Sequence, residues 1–569
     1  MKCNFGTLKA QRGVTASVCR ADDFCDGIGG RSAAYVLRNV SALPHCFSAD
    51  PSFEKNSGFY KAACSIGGGM ETDMKRINDT AAKSCRPVKV LQFGEGNFLR
   101  AFADYMIDCA NESGEYDGSA VLVQPIDAPL LPAFSEQDSV YTVILRGREN
   151  GATVDEPHIV TSVREVISSY ADYGRFMEYA SLETLECVIS NTTEAGIVFD
   201  SEDRFDACPP RSYPGKLTKF LYERYRAFSG DPSRGLVIFP VELIEDNGHR
   251  LCECVKALSE LWGLGAEFEE WITEACVFNS TLVDRIVTGY PKRPGEAEAI
   301  CKKLGYSDSL LDICEPFGLW VIESPDTERS RRVMPLDRAG LPVIFTDDQK
   351  PYRERKVRIL NGAHTSFVPA AYLAGFDIVR DCMGDGTVRH FIDACVYGEI
   401  VPTVHLPHED VMSFASSVAE RFENPFIDHE LISICLNSVS KWRARVLPSL
   451  IDSLDSNGRL PECLTMSFAS LCEFYSRGEM SEDGFFGWRE SGGVRQKYRI
   501  SDDAAVIDFF AAYGKEPDII KRFASCAEFF GRDLSLIPGF TDAATAWLDV
   551  IRRDGTAAAM ERASAGYNG

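Results

Sequence analysis

The stretch that decides the fold is Val88-Lys-Val-Leu-Gln-Phe-Gly-Glu-Gly-Asn-Phe-Leu-Arg100. Its first six residues form a short β-type run, and Gly94-x-Gly96 then leads into apolar residues at helical spacing. This order suits a dinucleotide, because glycine permits a tight turn and a helix N-terminus offers free N–H groups to a pyrophosphate. The third glycine of the usual GxGxxG pattern is missing, since Leu99 takes its place. Two glycines alone would also suit an ordinary strand–turn–helix unit, which is the alternative.

Strand-like and helical stretches alternate after this turn. The further strand-like runs are Ala120–Val123, Tyr141–Leu145, Glu186–Ser190 and Gly235–Phe239. This alternation predicts a mostly parallel sheet. After about residue 350 the strand signals fade, and long amphipathic stretches such as Val357–Leu373 dominate. The sequence therefore predicts an α/β half followed by a helical half.

The composition is that of a globular protein with a strongly acidic balance. The chain has 569 residues, 45% of them hydrophobic, and a formal net charge of −24. Its length suggests more than one domain. The charge disfavours nonspecific binding to nucleic acid or anionic lipid, both of which require Lys and Arg. Because no run of about 18 apolar residues occurs, we expect no membrane span.

The cysteines and the N-terminus indicate a reducing compartment. The 20 cysteines are scattered singly, apart from Cys252-Glu-Cys254, and no CxxC occurs. We interpret them as reduced thiols, mostly small core residues. No apolar region of the signal-peptide type begins the chain, so we expect a cytoplasmic protein.

Residues 1–69 differ from the rest of the chain. They contain eight basic and five acidic residues, a net charge of +3, and show no sustained period of 2 or 3.6. We interpret them as a poorly structured extension, with Met70 as an alternative start of the protein. The alternative is a targeting or regulatory arm.

A second cluster of polar residues is Lys356-Val-Arg-Ile-Leu-Asn361-Gly-Ala-His364. At ~100° per helical residue, Lys356, His364 and Asn361 project at about 0°, 80° and 140°, on one arc. A hydride-transfer site needs a proton donor or acceptor and groups that hold a carbonyl oxygen, which an amine, an amide and an imidazole can supply. By spacing alone a solvated basic helix is the stronger interpretation. Three arginines lie alongside: Arg353, Arg355 and Arg358.

Taken together, three segments resemble the mannitol dehydrogenase family of long-chain, zinc-independent polyol and sugar-acid dehydrogenases. They are Gln92–Ala101, Val283–Ile286 and Lys356–His364. The resemblance covers about residues 86–560. It implies an α/β fold, with a Rossmann-type NAD-binding domain over 86–312 and a mainly α-helical C-terminal substrate domain over 313–560.

The resemblance also implies roles for particular residues. Lys356 would be the catalytic acid/base, Asn361 would polarise the reacting oxygen, and His364 would bind the neighbouring hydroxyl or carbonyl. Asp284 would lie near both nicotinamide and substrate, and Glu194 on a proton path beside the substrate. The residues expected to bind NAD are Gln92, Phe93, Gly94, Gly96, Asn97, Phe98, Arg100 and Asp284.

The chain departs from the polyol enzymes of the family at two places. Leu243 stands where they have a second oxyanion-hole Asn, and Ser433 stands where they have a substrate-pocket Arg eight residues before a Lys. The Lys is kept as Lys441, our first candidate for binding a substrate carboxylate. His429 and Arg443 are weaker candidates from the same segment.

Three further stretches resemble the family branch that acts on hexuronates: Ser190–Gly196, Thr281–Pro291 and Ser440–Arg443. This implies NAD-dependent interconversion of D-tagaturonate and D-altronate. The alternatives are fructuronate reduction, polyol oxidation of the mannitol type, or a non-catalytic NAD-binding sensor. We expect a monomer or small homo-oligomer that takes a small sugar acid as substrate.

The cofactor is expected to be NAD, with no metal. No Arg directly follows the second strand to take a 2′-phosphate, and Gln124 and Asp127 are the candidates for the adenosine ribose. His405-x-x-His408-Glu409 lacks the His-Glu-x-x-His spacing that places two ligands on one helical face.

Overall fold

The computed structural model describes residues 74–192 and 195–568. The expected extension over 1–69 and the predicted site residue Glu194 lie outside these residues. The strands, numbered in chain order, are β1 (Lys75–Arg76), β2 (Val88–Phe93), β3 (Ser119–Gln124), β4 (Tyr141–Glu149), β5 (Ala152–Val160), β6 (Val163–Ser168), β7 (Cys187–Ser190), β8 (Val237–Pro240), β9 (Val277–Phe278), β10 (Ser280–Asp284), β11 (Val287–Gly289), β12 (Tyr306–Ser307), β13 (Asp312–Cys314), β14 (Leu319–Glu323), β15 (Val343–Thr346), β16 (Glu479–Ser481), β17 (Gly484–Ser491) and β18 (Val494–Arg499).

The central sheet is parallel and has the order β6-β3-β2-β7-β8-β9. Counted along the chain, its strands lie in the order 3-2-1-4-5-6, which is that of a Rossmann fold. β2 is flanked by β3 and β7, so Leu91 pairs with both Val121 and Val188. Successive residues of β2 face opposite sides: Val90 packs in one buried cluster and Leu91 in another. Helices cover both faces of the sheet.

Two strand expectations change in the structure. The Tyr141–Leu145 run is a strand, but it belongs to a separate mixed sheet of order β11-β13-β4-β5. β4 and β5 form a hairpin whose two-residue turn, Asn150-Gly151, has positive φ at both positions. The third strand of the parallel sheet is β6, which was not predicted. It lies at the sheet edge, and its polar Arg164 and Glu165 obscure the apolar run.

Helices dominate the second half of the chain. The α-helices are α1 (Asn97–Leu99), α2 (Tyr105–Glu112), α3 (Pro132–Glu136), α4 (Tyr173–Glu178), α5 (Tyr213–Ala227), α6 (Asn247–Trp262), α7 (Ala266–Ala275), α8 (Glu296–Leu304), α9 (Thr327–Val333), α10 (Lys350–Arg355), α11 (Gly362–Leu373), α12 (Val379–Gly384), α13 (Gly386–Asp393), α14 (His408–Phe422), α15 (Leu431–Ile434), α16 (Ser438–Arg445), α17 (Leu447–Asn457), α18 (Glu462–Ser476), α19 (Ala504–Tyr513), α20 (Ile519–Ala524), α21 (Ala527–Phe530), α22 (Phe540–Asp554) and α23 (Thr556–Ser564). Three π-helical segments also occur in the described chain: Arg100–Asp104, Lys356–Asn361 and Ala394–Ile400.

The helical half has its own core around α18. Every residue of α18 after Glu462 is buried, and its Phe468 packs against Trp442, Phe523 and Phe540. α18 also packs against α11 and α22. The antiparallel sheet of β16, β17 and β18 adds Phe485 and Tyr498 to the same cluster. The predicted class, a Rossmann-type half followed by a helical half, is confirmed.

The sheet-forming part of the chain extends past residue 312. β14 pairs antiparallel with β10 and parallel with β15, so strands continue to Thr346. None of the helices in the described part of the chain is both long and apolar enough to cross a membrane. The cysteines of the described residues are free thiols.

Candidate active site

The glycine turn lies where the order of the parallel sheet reverses. β2 ends at Phe93, and its neighbour β7 ends at Ser190, so Gly94 and Asn191 meet at the carboxyl edge. Gly94 has φ +118°, and a Cβ there would lie 2.9 Å from the carbonyl oxygen of Asn191. Dinucleotides bind in open α/β sheets at this crevice. The turn therefore requires glycine for the close approach of two backbones.

The second glycine, Gly96, meets open space. It precedes α1, and a Cβ there would have no atom within 4 Å. The N–H groups at the start of α1 follow directly, and a helix N-terminus is electrostatically suited to a pyrophosphate. The backbone from Gly94 to Asn97 thus fits the phosphates of a dinucleotide.

Three other residues predicted to bind the cofactor are buried around this turn: Gln92, Phe93 and Arg100. Gln92 is buried, and its amide donates to the Gly94 carbonyl at 3.1 Å. Phe93 packs in the sheet core against Phe176. Arg100 is also buried, and its guanidinium donates to the Leu310 carbonyl at 2.7 Å and to Asn97 Oδ1 at 2.6 Å. These side chains hold the turn in place, while Asn97 itself is exposed.

Three more residues predicted on the cofactor side have different surroundings. Phe98 is half-buried and stacks on Phe102. At the end of β3, Gln124 is buried and donates to Glu95 Oε1 at 3.0 Å, whereas Asp127, which follows the strand, is exposed. Of the two candidates for the adenosine ribose, Asp127 is therefore the one with a free approach from solvent.

Lys356, Asn361 and His364 lie on one unbroken helix from Lys350 to Leu373. α10 leads into the π-segment Lys356–Asn361, and α11 follows. In a π-helix the hydrogen bonds span five residues and each turn holds more residues than in an α-helix, so Lys356 and Asn361 project in more nearly the same direction. The α-helical projection had placed them about 140° apart. The π-turn therefore brings the predicted acid/base and amide closer together than the sequence indicated.

Lys356 contacts the end of strand β10. Its Nζ donates to the Val283 carbonyl at 2.8 Å and lies 3.5 Å from Asp284 Oδ1. Asp284 is buried, which alone would raise its pKa, but the Arg421 and Lys356 cations hold that pKa below its ordinary value. The site thus keeps a carboxylate beside the lysine amine.

Arg421 was not predicted from the sequence, yet it organises the site. From the end of α14, its Nη1 and Nη2 donate to the two oxygens of Asp284 at 2.9 and 3.1 Å. Its Nε donates to Glu315 at 2.9 Å, and Glu315 in turn accepts from the Ile286 N–H at 2.6 Å. A planar guanidinium suits this double pairing because its donors form a rigid fork. The signal available in the sequence was Arg421 itself, at the polar end of an amphipathic stretch, but not its partners.

His364 faces a small pocket with a second histidine. The ring centroids of His364 and Phe422 lie 4.2 Å apart, and those of His364 and His429 lie 5.3 Å apart. Burial, and then the neighbouring His429 and Arg421, hold the pKa of His364 well below its ordinary value. Its Nε2 is buried and has no hydrogen-bond partner within the described residues. A neutral imidazole with an unused nitrogen is suited to bind a hydroxyl or carbonyl oxygen.

The predicted substrate lysine lies on the neighbouring helix α16. Lys441 Nζ donates to the Ile434 carbonyl at 3.1 Å, and its charge acts on both His364 and His429. The structure thus brings Lys441 and His429 to the site. Arg443 is exposed on the other side of α16, beside Gly531.

The remaining sequence candidates either lie away from this site or already have interaction partners. Leu243 is exposed, while the nearby Asn247 is buried and its amide donates to three backbone carbonyls. His405 and His408 are both exposed. The three arginines around Lys356 have partners: Arg353 pairs with Glu245, Arg355 stacks on Phe414, and Arg358 pairs with Asp452.

Comparison with known proteins agrees with this architecture. The family model for the mannitol dehydrogenase Rossmann domain matches residues 88–334, and that for the mannitol dehydrogenase C-terminal domain matches 348–487. Altronate oxidoreductase from Enterobacter sp. (strain 638) is 41% identical over 485 residues, 84% of this chain and 97% of that protein. The protein of the same name from Phocaeicola vulgatus is 40% identical over 483 residues, 85% of this chain and 98% of its own.

Solved structures share the fold at lower identity. A D-sorbitol dehydrogenase in substrate-free form has a TM-score of 0.67 and 18% identity, covering 86% of this chain and 100% of that one. Mannitol 2-dehydrogenase from Pseudomonas fluorescens, in a ternary complex with NAD and D-mannitol, has a TM-score of 0.58 and 21% identity, covering 86% and 99%. The family predicted from the motifs is confirmed: the chain belongs to the mannitol dehydrogenase family of oxidoreductases.

Proposed function

We propose that the protein is an NAD-dependent oxidoreductase that interconverts D-tagaturonate and D-altronate. The observation that carries this proposal is the placement of the Lys356 amine beside Asp284, on the same helix as the neutral His364. The proposal is supported by relatives named altronate oxidoreductase, which are about 41% identical along 84% of the chain. Residues 86–312 hold the cofactor, and residues 313–560 supply the substrate pocket.

The backbone of Gly94 to Asn97 and the residues around it would hold the dinucleotide. NADH, when bound, supplies a hydride to the keto carbon of the substrate. Lys356 Nζ holds the proton that the new hydroxyl oxygen takes up, a role that requires a group within hydrogen-bond reach of that oxygen. Asp284 and the Val283 carbonyl fix the position of this amine. In the reverse direction Lys356 accepts the proton.

The amide of Asn361 and the imidazole of His364 bind the substrate's oxygens. Hydrogen-bond donors fixed before the reaction stabilise the charge that develops on the carbonyl oxygen. His364 is suited to this role because it is neutral and has an unpaired Nε2 within the described residues. Lys441 provides a positive charge for the carboxylate of the sugar acid. Glu194 remains a candidate for proton transfer to solvent.

A panel of substrates tests the proposal. Oxidation of NADH is followed with D-tagaturonate, D-fructuronate and D-fructose, and NADPH is compared with NADH. We expect the highest kcat/KM with D-tagaturonate and NADH. A higher kcat/KM with D-fructuronate would identify a fructuronate reductase. A higher kcat/KM with D-fructose would identify a polyol dehydrogenase of the mannitol type. NADH binding without turnover of any of the three would identify a sensor.

The cellular setting is part of the same proposal. We place the reaction in the cytoplasm, where NADH is available, with the protein acting as a monomer or small homo-oligomer. Fractionation of the native host and sedimentation of the purified chain test these two points.

A further inference from the structure

Helix α16 approaches the catalytic helix unusually closely at one point. The carbonyl oxygen of Arg445 lies 3.0 Å from where a Cβ on Gly362 would be. Gly362 directly follows Asn361 and precedes His364 by two residues, so α16 ends against the centre of the site. Lys441 and Arg445 are four residues apart on α16 and therefore lie on the same face of this helix.

Arg445 is half-buried, and its side chain has no hydrogen bond or ion pair anywhere in the described parts of the chain. Burial lowers the pKa of its guanidinium, and no acidic group counters that effect. Arg353 and Arg358 differ in having carboxylate partners, and Arg421 has two. Arg355 also has no ion pair within the described residues, but it stacks on Phe414, and although burial lowers its pKa, the charges of Asp410 and Asp284 oppose that effect. A partly buried cation without an anion costs free energy, so its position calls for an explanation.

The region around His364 is positively charged. The cationic groups that act on its pKa include Arg421, Lys441 and Arg445. The two buried carboxylates of the site, Asp284 and Glu315, are both paired with Arg421. They therefore do not compensate Arg445, and the region beside His364 carries an excess of positive charge. Such a region attracts an anionic ligand.

We propose that the Arg445 guanidinium binds the carboxylate of the hexuronate substrate. A guanidinium presents a planar fork that matches a carboxylate with two parallel hydrogen bonds, whereas a lysine offers a single point charge. Lys441, one turn earlier on α16, adds a second positive charge to the same subsite. This inference rests on the proposed function. It assigns to Arg445 the preference of the enzyme for sugar acids over neutral sugars. It corrects the sequence candidate Arg443, which lies two residues away and is exposed.

The test uses the variant Arg445→Met in the full chain, with Arg443→Met as the matched control on the same helix. KM and kcat are measured for D-tagaturonate and NADH, and kcat/KM for D-tagatose, the neutral ketose with a hydroxymethyl group in place of the carboxylate. For Arg445→Met we expect KM for D-tagaturonate to rise at least tenfold, or ~1.4 kcal/mol of binding. KM for NADH and kcat/KM for D-tagatose should stay within twofold, and Arg443→Met should change none of these constants.

Arg445→Lys keeps the charge but not the fork, so its KM for D-tagaturonate should lie between those of the wild type and Arg445→Met. If Arg445→Met does not fold, the KM of Arg445→Lys for D-tagaturonate provides the test. The inference is overturned if both Arg445 variants keep the wild-type KM for D-tagaturonate, or if they lose D-tagaturonate and D-tagatose equally. Absence of activity on any hexuronate in the wild-type protein would instead overturn the proposed function, and the inference with it.

Discussion

At the scale of single residues, Lys356 is the proposed catalytic acid/base. Its amine is held between the Val283 carbonyl and Asp284. Lys356→Ala should lower kcat by about 10²–10⁴-fold, the usual contribution of a general acid. Binding of NADH should change little, because the cofactor turn lies on the central sheet. Steady-state kinetics and NADH fluorescence titration measure the two effects.

Lys350→Ala is the control for this variant. Lys350 begins α10 on the same continuous helix but is exposed. Its replacement should leave kcat within twofold of the wild type. Near-wild-type turnover by Lys356→Ala would remove Lys356 from the mechanism.

At the scale of elements, the turn between β2 and α1 contains two glycines, one expected to matter for stability and the other for NADH binding. Gly94→Ala should destabilise the fold by about 1–3 kcal/mol, because the residue has φ +118° and its Cβ would press on the Asn191 carbonyl. Gly96→Ala should leave stability unchanged, since a Cβ there meets no protein atom. The same methyl group would occupy the proposed pyrophosphate opening and raise the Kd for NADH at least tenfold.

Urea unfolding and NADH titration of both variants separate these effects. Equal stability of Gly94→Ala and the wild type would show that the turn can relax away from β7. Unchanged NADH affinity in Gly96→Ala would mean that the dinucleotide does not lie over this glycine.

At the scale of the whole molecule, Arg421 joins the helical half to the sheet-forming half. It projects from α14 and is paired with Asp284 at the end of β10 and Glu315 after β13, and all three side chains are buried. Removing one partner of such a network leaves buried charges uncompensated. Arg421→Met should therefore lower the free energy of unfolding by about 3–5 kcal/mol, measured in urea.

Arg293→Met is the comparison for this experiment. Arg293 also pairs with a residue from the other half, Asp428, but its side chain is exposed. Its removal should cost under about 1 kcal/mol, as is usual for exposed pairs. If the two variants lost the same stability, burial of the Arg421 network would not be what joins the halves.

The stability of the whole protein should also depend on pH through Asp104. Burial raises the pKa of Asp104 to about 7, although Tyr141 and Arg100 oppose the shift. The folded state thus binds this proton more tightly than the unfolded chain, where an Asp titrates near 3.9. Its stabilising contribution is complete below about pH 4 and is lost as the pH rises to about 7.

The variant Asp104→Asn tests this contribution. The unfolding free energy of the wild type minus that of the variant should fall between pH 4 and 7 and level off above. Taking this difference cancels carboxylates that do not interact with Asp104, such as Asp284. Asp312 does not cancel, because burial raises its pKa to about 7 and the charge of Asp104 adds to that shift. A difference independent of pH over this range would show that Asp104 has the same pKa in the folded protein as in the unfolded chain.

The sequence by itself determined the local parts of this protein. The β2–Gly94–α1 unit and the segment Lys356–His364 are contiguous, so their strand, turn and helix patterns could be recognised within a dozen residues. The same holds for the change from alternating strands to helices near residue 350. Their physical basis is short-range: backbone freedom at glycine and the spacing of apolar side chains.

Tertiary structure decided which distant residues pair and which side of each helix faces the site. Arg421 and Asp284 are 137 positions apart, and no periodicity in the sequence relates them. Arg443 and Arg445 look equivalent as sequence, but two residues on a helix differ by about 200°, so packing of α16 on Gly362 determines which one turns inward. Charge placement in the site was decided by packing between distant elements, because only there does burial remove water from some side chains and leave others exposed.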